Sequence, residues 1–251
     1  ATSPPADAAG TEAAETGQKA ALITPDRGLS RQVSAALDRW NIIPDDSAGV
    51  PLHLSAPGRF LRHVSELLIK PLSAELLLTI LKHPLTHSGA DRGPHLRLSR
   101  ELELHLRRLG PPFPDAGTLL NWAEGQKVKF APEWVAWLMQ NFCAGPVTEA
   151  DRLDALTTSH IALAERISQG SMPDIEAGLW NGEAGREALQ IVSDLSENAE
   201  YGGMMRPGDY GALFPSILAA GQVRSARDPH PDIMIWGTLA ARVQGADLII
   251  L

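Results

Sequence analysis

The sequence predicts an α/β fold in which a helical segment interrupts a parallel sheet, and three observations predict it. Lys19 to Thr24 is a short apolar run without alternation, the pattern of a strand covered on both faces. Ile233 to Thr238 and Asp247 to Leu251 repeat that pattern at the other end of the chain. Between them, apolar residues recur at three- and four-residue spacing, and credible strands are few.

The elements follow in order. Residues 1–18 are rich in Ala, Pro, Gly, Thr and Glu and read as a linker with a short helix near Glu12 to Glu15. After the first strand, Pro25 to Gly28 turns into a helix with Leu29, Val33, Ala36, Leu37 and Trp40 as its stripe, ended by Asn41. Ile42 to Leu54 reads as loop and short strand. Phe60, Leu61, Val64, Leu67 and Leu68 mark a helix stopped by Pro71, and Ser73 caps another through Leu81. Gly89 to Pro94 reads as a break, with Ser99 capping a charged helix to Leu109. Further helices follow Pro132, then the capping signature Thr148 to Asp151, then Gly182. Tyr210 to Ala220 is helical in pattern although it contains Pro215. The expected units are a linker over 1–18, a discontinuous sheet domain over 19–95 and 205–251, and a helical insertion over 96–204.

Composition narrows the function classes. With 251 residues, 44% hydrophobic and 21% charged, the chain can bury a core and is not wholly disordered. Aromatics make up only 5%, so aliphatic side chains must build most of that core. The net charge of −8 argues against dominant non-specific nucleic-acid binding but allows a local basic groove. A single cysteine, Cys143, excludes an intramolecular disulfide and a multi-cysteine metal site within these residues, and fits a reducing, cytoplasmic setting. The longest aliphatic stretch, around Leu76 to Leu81, is far shorter than the roughly 18 residues of a membrane span. The sequence stops within the apolar run Asp247 to Leu251 and is expected to be a fragment of a longer protein.

Two segments carry a resemblance. Ala20 to Arg31, continuing to Trp40 and Asp45 to Gly49, and Ile233 to Leu251 together resemble AddB. AddB is the double-strand-break repair subunit of the AddAB helicase–nuclease, here in its alphaproteobacterial form. The resemblance is strong in these segments and weak through the helical middle. More broadly, the order is similar to the second RecA-like domain of UvrD-type helicases, a parallel-sheet domain interrupted by a mainly α-helical insertion. There a strand–helix unit carrying motif IV precedes the insertion, and motif V follows it. Aligning on Ser30-Arg31 puts Pro25 where a working motif IV has a phosphate-contacting arginine, with Arg27 displaced from that place. Thr238 matches motif V and Arg242 stands near its lysine, but Gln244 replaces its acidic residue. An uncharged Gln cannot supply the carboxylate that couples nucleotide state to movement. The resemblance therefore implies a helicase-like body without a working motor, acting in DNA repair and recombination with DNA and an AddA-type helicase–nuclease as partners. ATP would belong to the partner. A divalent metal and an iron–sulfur cluster would belong to a nuclease domain beyond Leu251. No Gly-x-x-x-x-Gly-Lys-Ser/Thr loop occurs in the sequence.

The resemblance makes Arg27, Arg31, Thr238 and Arg242 the candidate nucleic-acid contacts. An exposed amphipathic helix explains the first pair as well, and a strand end with a helix cap explains the second. The densest basic run, Arg92, His95, Arg97, Arg100, His105, Arg107 and Arg108, could track phosphates. Glu103 lies three residues after Arg100 and four before Arg107, which favours a solvated, ion-paired face. Asp45-Asp46-Ser47 suggests turn-forming carboxylates before catalytic ones. Trp134 and Trp137, at helical spacing with Leu138 and Phe142, suit a core better than base stacking. The eight histidines show no metal-binding pattern on one helix. Cys143 reads as an inert buried thiol. The alternative to a DNA-guiding body is a helical protein-docking module that never touches DNA.

Overall fold

The computed structural model describes residues 18–126, 131–171, 173–223 and 229–251. Of the expected linker, only Gln18 is described, and the short helix near Glu12 to Glu15 lies outside the described residues. In chain order the elements are β1 (Ala20–Ile23), α1 (Arg27–Asp38), β2 (Asp45–Asp46), β3 (Val50–Pro51), α2 (Ala56–Ile69), α3 (Ala74–Lys82), α4 (Arg92–Leu109), α5 (Ala116–Glu124) and α6 (Ala131–Phe142). They continue with β4 (Asp151–Arg152), α7 (Leu153–Gln169), α8 (Gly182–Asn198), β5 (Met204–Met205), α9 (Pro207–Ala220), β6 (Gln222–Val223), β7 (Ile233–Trp236) and β8 (Leu248–Ile250). The fold is mixed α/β, mostly helical, with one small parallel sheet. No described helix is long and apolar enough to cross a membrane.

The described chain forms two compact units, residues 18–48 with 229–251, and residues 49–223. The first holds a four-stranded parallel sheet in the order β2-β7-β1-β8. Ala20 pairs with both Ile233 and Leu248, so β1 lies between two strands from the far end of the chain. The crossover from β1 to β2 passes β7, and that from β7 to β8 passes β1 in the opposite direction. Right-handed crossovers running opposite ways cover opposite faces of a sheet. The core on one face is Ala21, Met234 and Trp236, against which Ala240, Ala241 and Ala246 of the second crossover pack. Asp26 caps α1, its carboxylate accepting the Gly28 amide at 2.7 Å. The expected stripe of α1 is covered only at Val33 and Leu37; Trp40 is 77% exposed. The pattern of two covered faces holds for β7, where Met234, Ile235 and Trp236 are buried. It fails for β8, whose residues are about half exposed, because an edge strand has a neighbour on one side only.

The second unit is helical around α2, which packs on α3, α7, α8 and α9 through Phe60, Leu61, Val64 and Leu67. Gly58, in the first turn of α2, lies directly on the Leu52 carbonyl of the 3-10 segment Leu52–Leu54, with no room for a Cβ. Two antiparallel ribbons, β3 with β6 and β4 with β5, join segments remote in sequence. Residues 49–95 and 205–223, grouped with the sheet in the sequence reading, pack in this unit, because the α2 stripe finds its cover on α7, α8 and α9.

Two capping expectations change. The charged helix starts at Arg92, capped by Asp91 rather than Ser99. Pro94 fits there because the first-turn amides of a helix have no intrahelical partner. Ser99 is buried in mid-helix. Helix α7 begins after Arg152 with no side-chain cap, because Asp151 and Arg152 pair with Met205 and Met204.

Candidate nucleic-acid interface at the carboxyl edge of the sheet

Strands β1, β7 and β2 all end at one edge, since they are parallel and in register. The segments leaving them are knitted together. The Thr24 amide donates to the Trp236 carbonyl at 3.0 Å, and the Ser47 amide to the Ile235 carbonyl at 2.9 Å. The Gly237 amide donates to the Ser47 hydroxyl at 3.0 Å, and the Asp26 amide to the Thr24 hydroxyl at 3.1 Å. By the right-handed rule, the crossovers leaving adjacent β1 and β7 go to opposite faces. In open α/β sheets this is where a crevice forms outside the strand ends and ligands bind.

Three of the four sequence-predicted residues fall on this edge or one helical turn beyond it, and Arg242 lies further on. Arg27 opens α1, is exposed, and donates Nη1 to the Ala48 carbonyl at 3.3 Å. Arg31 lies one turn on, also exposed, with Nε donating to the Arg27 carbonyl at 3.2 Å. Thr238 is exposed two residues past β7, and Arg242 is exposed at the end of the 3-10 segment Ala240–Arg242. The loops carrying Arg27 and Thr238 leave neighbouring strands, since Ile23 and Trp236 are paired. Arg242 lies further along the crossover to β8. A polyanion crossing this edge would meet guanidinium and hydroxyl groups, beside the Asp26 carboxylate that already caps the start of α1.

The adjacent aspartates are structural. Asp46 Oδ2 accepts the buried Ser30 hydroxyl at 2.6 Å, and Oδ1 accepts the Ala48 amide at 2.9 Å. One carboxylate thus braces α1 and forms a turn, and among the described residues no second titratable side chain is bonded to it for general acid–base chemistry.

In the helical unit the basic run divides. Arg97 pairs with Glu101 at 3.3 Å, and Glu103 bridges Arg107 at 2.8 Å and Lys82 at 2.5 Å, with Arg100 outside that pairing. Those bonds, the one from Lys82 first, hold the Glu103 carboxyl below its ordinary range. Trp134 and Trp137 are core residues. The Cys143 thiol is half-buried and pushed up by burial, away from the reactive thiolate. Among the described residues, no group of three or more His, Cys, Asp or Glu side chains could hold a metal ion.

The sequence reading missed a set of buried neutral histidines. His95 accepts the Trp134 indole N–H on Nδ1 at 3.0 Å and faces the Leu81 carbonyl with Nε2 at 2.7 Å. His160 lies between the Tyr210 hydroxyl, 2.8 Å from Nδ1, and the Leu61 carbonyl, 2.9 Å from Nε2. Burial pushes His95 down to about 3 and His160 down to about 4. His83 falls to about 4 through burial, assisted by the charges of His63, Arg59 and Arg92. These residues are spread from 61 to 210, so no local spacing could announce them.

No family model, curated protein or solved structure matches the chain.

Proposed function

We propose that this chain is a helicase-like, motor-inactive segment of an AddB-type subunit, acting in double-strand-break repair and recombination. It holds a DNA strand at the carboxyl edge of its sheet, through Arg27, Arg31, Thr238 and Arg242, and contacts an AddA-type helicase–nuclease. The observation that carries the reading is the pairing of the two segments with the resemblance. They lie far apart in sequence yet form adjacent strands β7, β1 and β8, with three of the candidate residues at or near one edge. Gln244, in place of an acidic residue, supports a body that follows a partner's ATP-driven motion rather than powering it.

The contacts are to the DNA backbone, so binding weakens with salt. Fluorescence anisotropy with single-stranded DNA at several salt concentrations tests this. The Arg27→Gln, Arg31→Gln, Arg242→Gln triple variant should flatten the log–log salt slope by about 2. An unchanged slope and affinity would overturn the reading.

A second reading, a helical docking module without DNA contact, is favoured by one feature. Leu109 and Phe113 are 82% and 63% exposed on either side of Pro111-Pro112, beside a cleft of about 500 Å³ between α3 and α4. Capture of the partner by the triple variant, with no DNA binding by the parent chain, would select it.

A further inference from the structure

Basic groups of the helical unit gather where no motif marks them. Arg59, Arg62 and His63 stand three and four residues apart on α2 and share one face. His83, just past α3, packs its ring against Phe60 of the same helix, with centroids 5.2 Å apart. Arg92, opening α4, donates Nη2 to the His83 carbonyl at 3.0 Å. The charges of His63, Arg59 and Arg92 all oppose protonation of His83, while Arg62 and Arg59 oppose that of His63. One acid acts on His63, Glu66, and it also pairs with Lys70 at 3.4 Å.

The hydrogen bonds sharpen this. The Leu85 amide donates to His83 Nδ1 at 3.2 Å, so the proton of the neutral ring is on Nε2. His83 is only 8% exposed, and its Nε2–H has no acceptor among the described residues. The buried Arg92 Nε–H has none either. Buried donors without acceptors are costly, and donors ringed by positive charge are best satisfied by an anion that offers several oxygens.

We propose that Arg59, Arg62, His63, His83 and Arg92 form an oxyanion site that takes a phosphate group, free or within a nucleic-acid backbone. The site lies wholly in the helical unit and does not depend on the sheet edge described above. Arg59 reaches the anion from α2 with Arg62, whose Nη1 also donates to the His53 carbonyl at 3.4 Å; His83 donates Nε2–H, and Arg92 holds His83 in place while supplying charge. His63 is the titrating member: an anion between it and the arginines reverses their opposition to its proton.

Nuclear magnetic resonance of the full chain, titrated with inorganic phosphate and separately with a single-stranded oligonucleotide, tests the site. Phosphate should shift the His63 and His83 imidazole signals and move the His63 titration to higher pH, leaving His160 in place. The Arg59 side chain is exposed and makes no hydrogen bond or ion pair among the described residues. Arg59→Gln should therefore keep the fold while weakening phosphate binding about tenfold. The Arg27, Arg31 and Arg242 triple variant should bind phosphate as the parent does, which separates this site from the sheet edge. Shifts with the oligonucleotide as well identify a backbone site, and shifts with inorganic phosphate alone identify a free-anion site. Histidine signals unmoved by both ligands, or undiminished affinity in Arg59→Gln, would overturn the proposal.

Discussion

Trp134 donates its indole N–H to Nδ1 of His95 at 3.0 Å, and so fixes that histidine's own proton on Nε2, which meets the Leu81 carbonyl at 2.7 Å. An indole can only donate and a carbonyl can only accept, so the neutral ring has one tautomer available. It ties α6 to the end of α3, where helix carbonyls lack intrahelical partners. His160 makes the same kind of tie between Tyr210 on α9 and Leu61 on α2.

His95→Ala would strand the Trp134 donor and the Leu81 acceptor around a new cavity. The expected loss of stability in urea unfolding is about 3 kcal/mol. A variant within about 1 kcal/mol of the parent would show that the bridge matters little.

Tyr210→Phe keeps the buried ring and removes only the hydroxyl beside His160 Nδ1. The expected cost is about 1–2 kcal/mol, with near-native packing by near-ultraviolet circular dichroism. A loss as large as that of His95→Ala would mean that the ring packing, not the hydrogen bond, had been disturbed.

These histidines also set an acid limit. Their folded values, about 4 for His83 and His160 and about 3 for His95, lie below the ordinary 6.5. Between those values the unfolded chain holds more protons, so stability rises with pH. It should be full above pH 6.5 and fall on acidification towards pH 4, each histidine adding at most about 1.4 kcal/mol per pH unit. Melting temperatures across this range provide the check, and a flat profile would contradict the reading.

Gly58→Ala would place a Cβ 2.0 Å from the Leu52 carbonyl oxygen, a backbone atom that cannot step aside. The helix must shift, at about 3 kcal/mol, despite alanine's better helix propensity. Stabilisation in chemical denaturation would refute this.

Ser30→Ala removes the donor that ties α1 to Asp46. Amide exchange in Ala20–Ile23 should quicken by about tenfold, for a loss near 1.4 kcal/mol, while α2 amides keep their protection. Equal quickening in α2 would show that the two units unfold together.

The sequence made some of this plain and hid the rest for identifiable reasons. Strands β1, β7 and β8 stand out because each is an unbroken apolar run bounded by turn residues. Trp134, Trp137, Phe60 and Leu61 were legible as core from helical spacing alone. Ser99 looked like a cap because Pro94 reads as a breaker, but a proline in the first turn costs no hydrogen bond. Thr148 to Asp151 looked like a capping box because the partner of Asp151, Met205, lies far down the chain. The sheet edge is a candidate only through a resemblance, since Arg27, Arg31 and Arg242 have ordinary local surroundings. The His83 cluster was invisible for a related reason: His63, His83 and Arg92 come from three helical segments, and proximity in space leaves no spacing in sequence.

The position of β1 between β7 and β8 has a consequence for biogenesis. At about 5–20 residues per second, β1 leaves the ribosome some tens of seconds before either neighbour is made. The helical unit has its own core and is complete in sequence by Val223, while the early strand still waits unpaired. The surface that carries Arg27 and Thr238 is therefore the last to be assembled, and a chain cut short after residue 223 would keep helices α2 to α9 and lose that surface entirely.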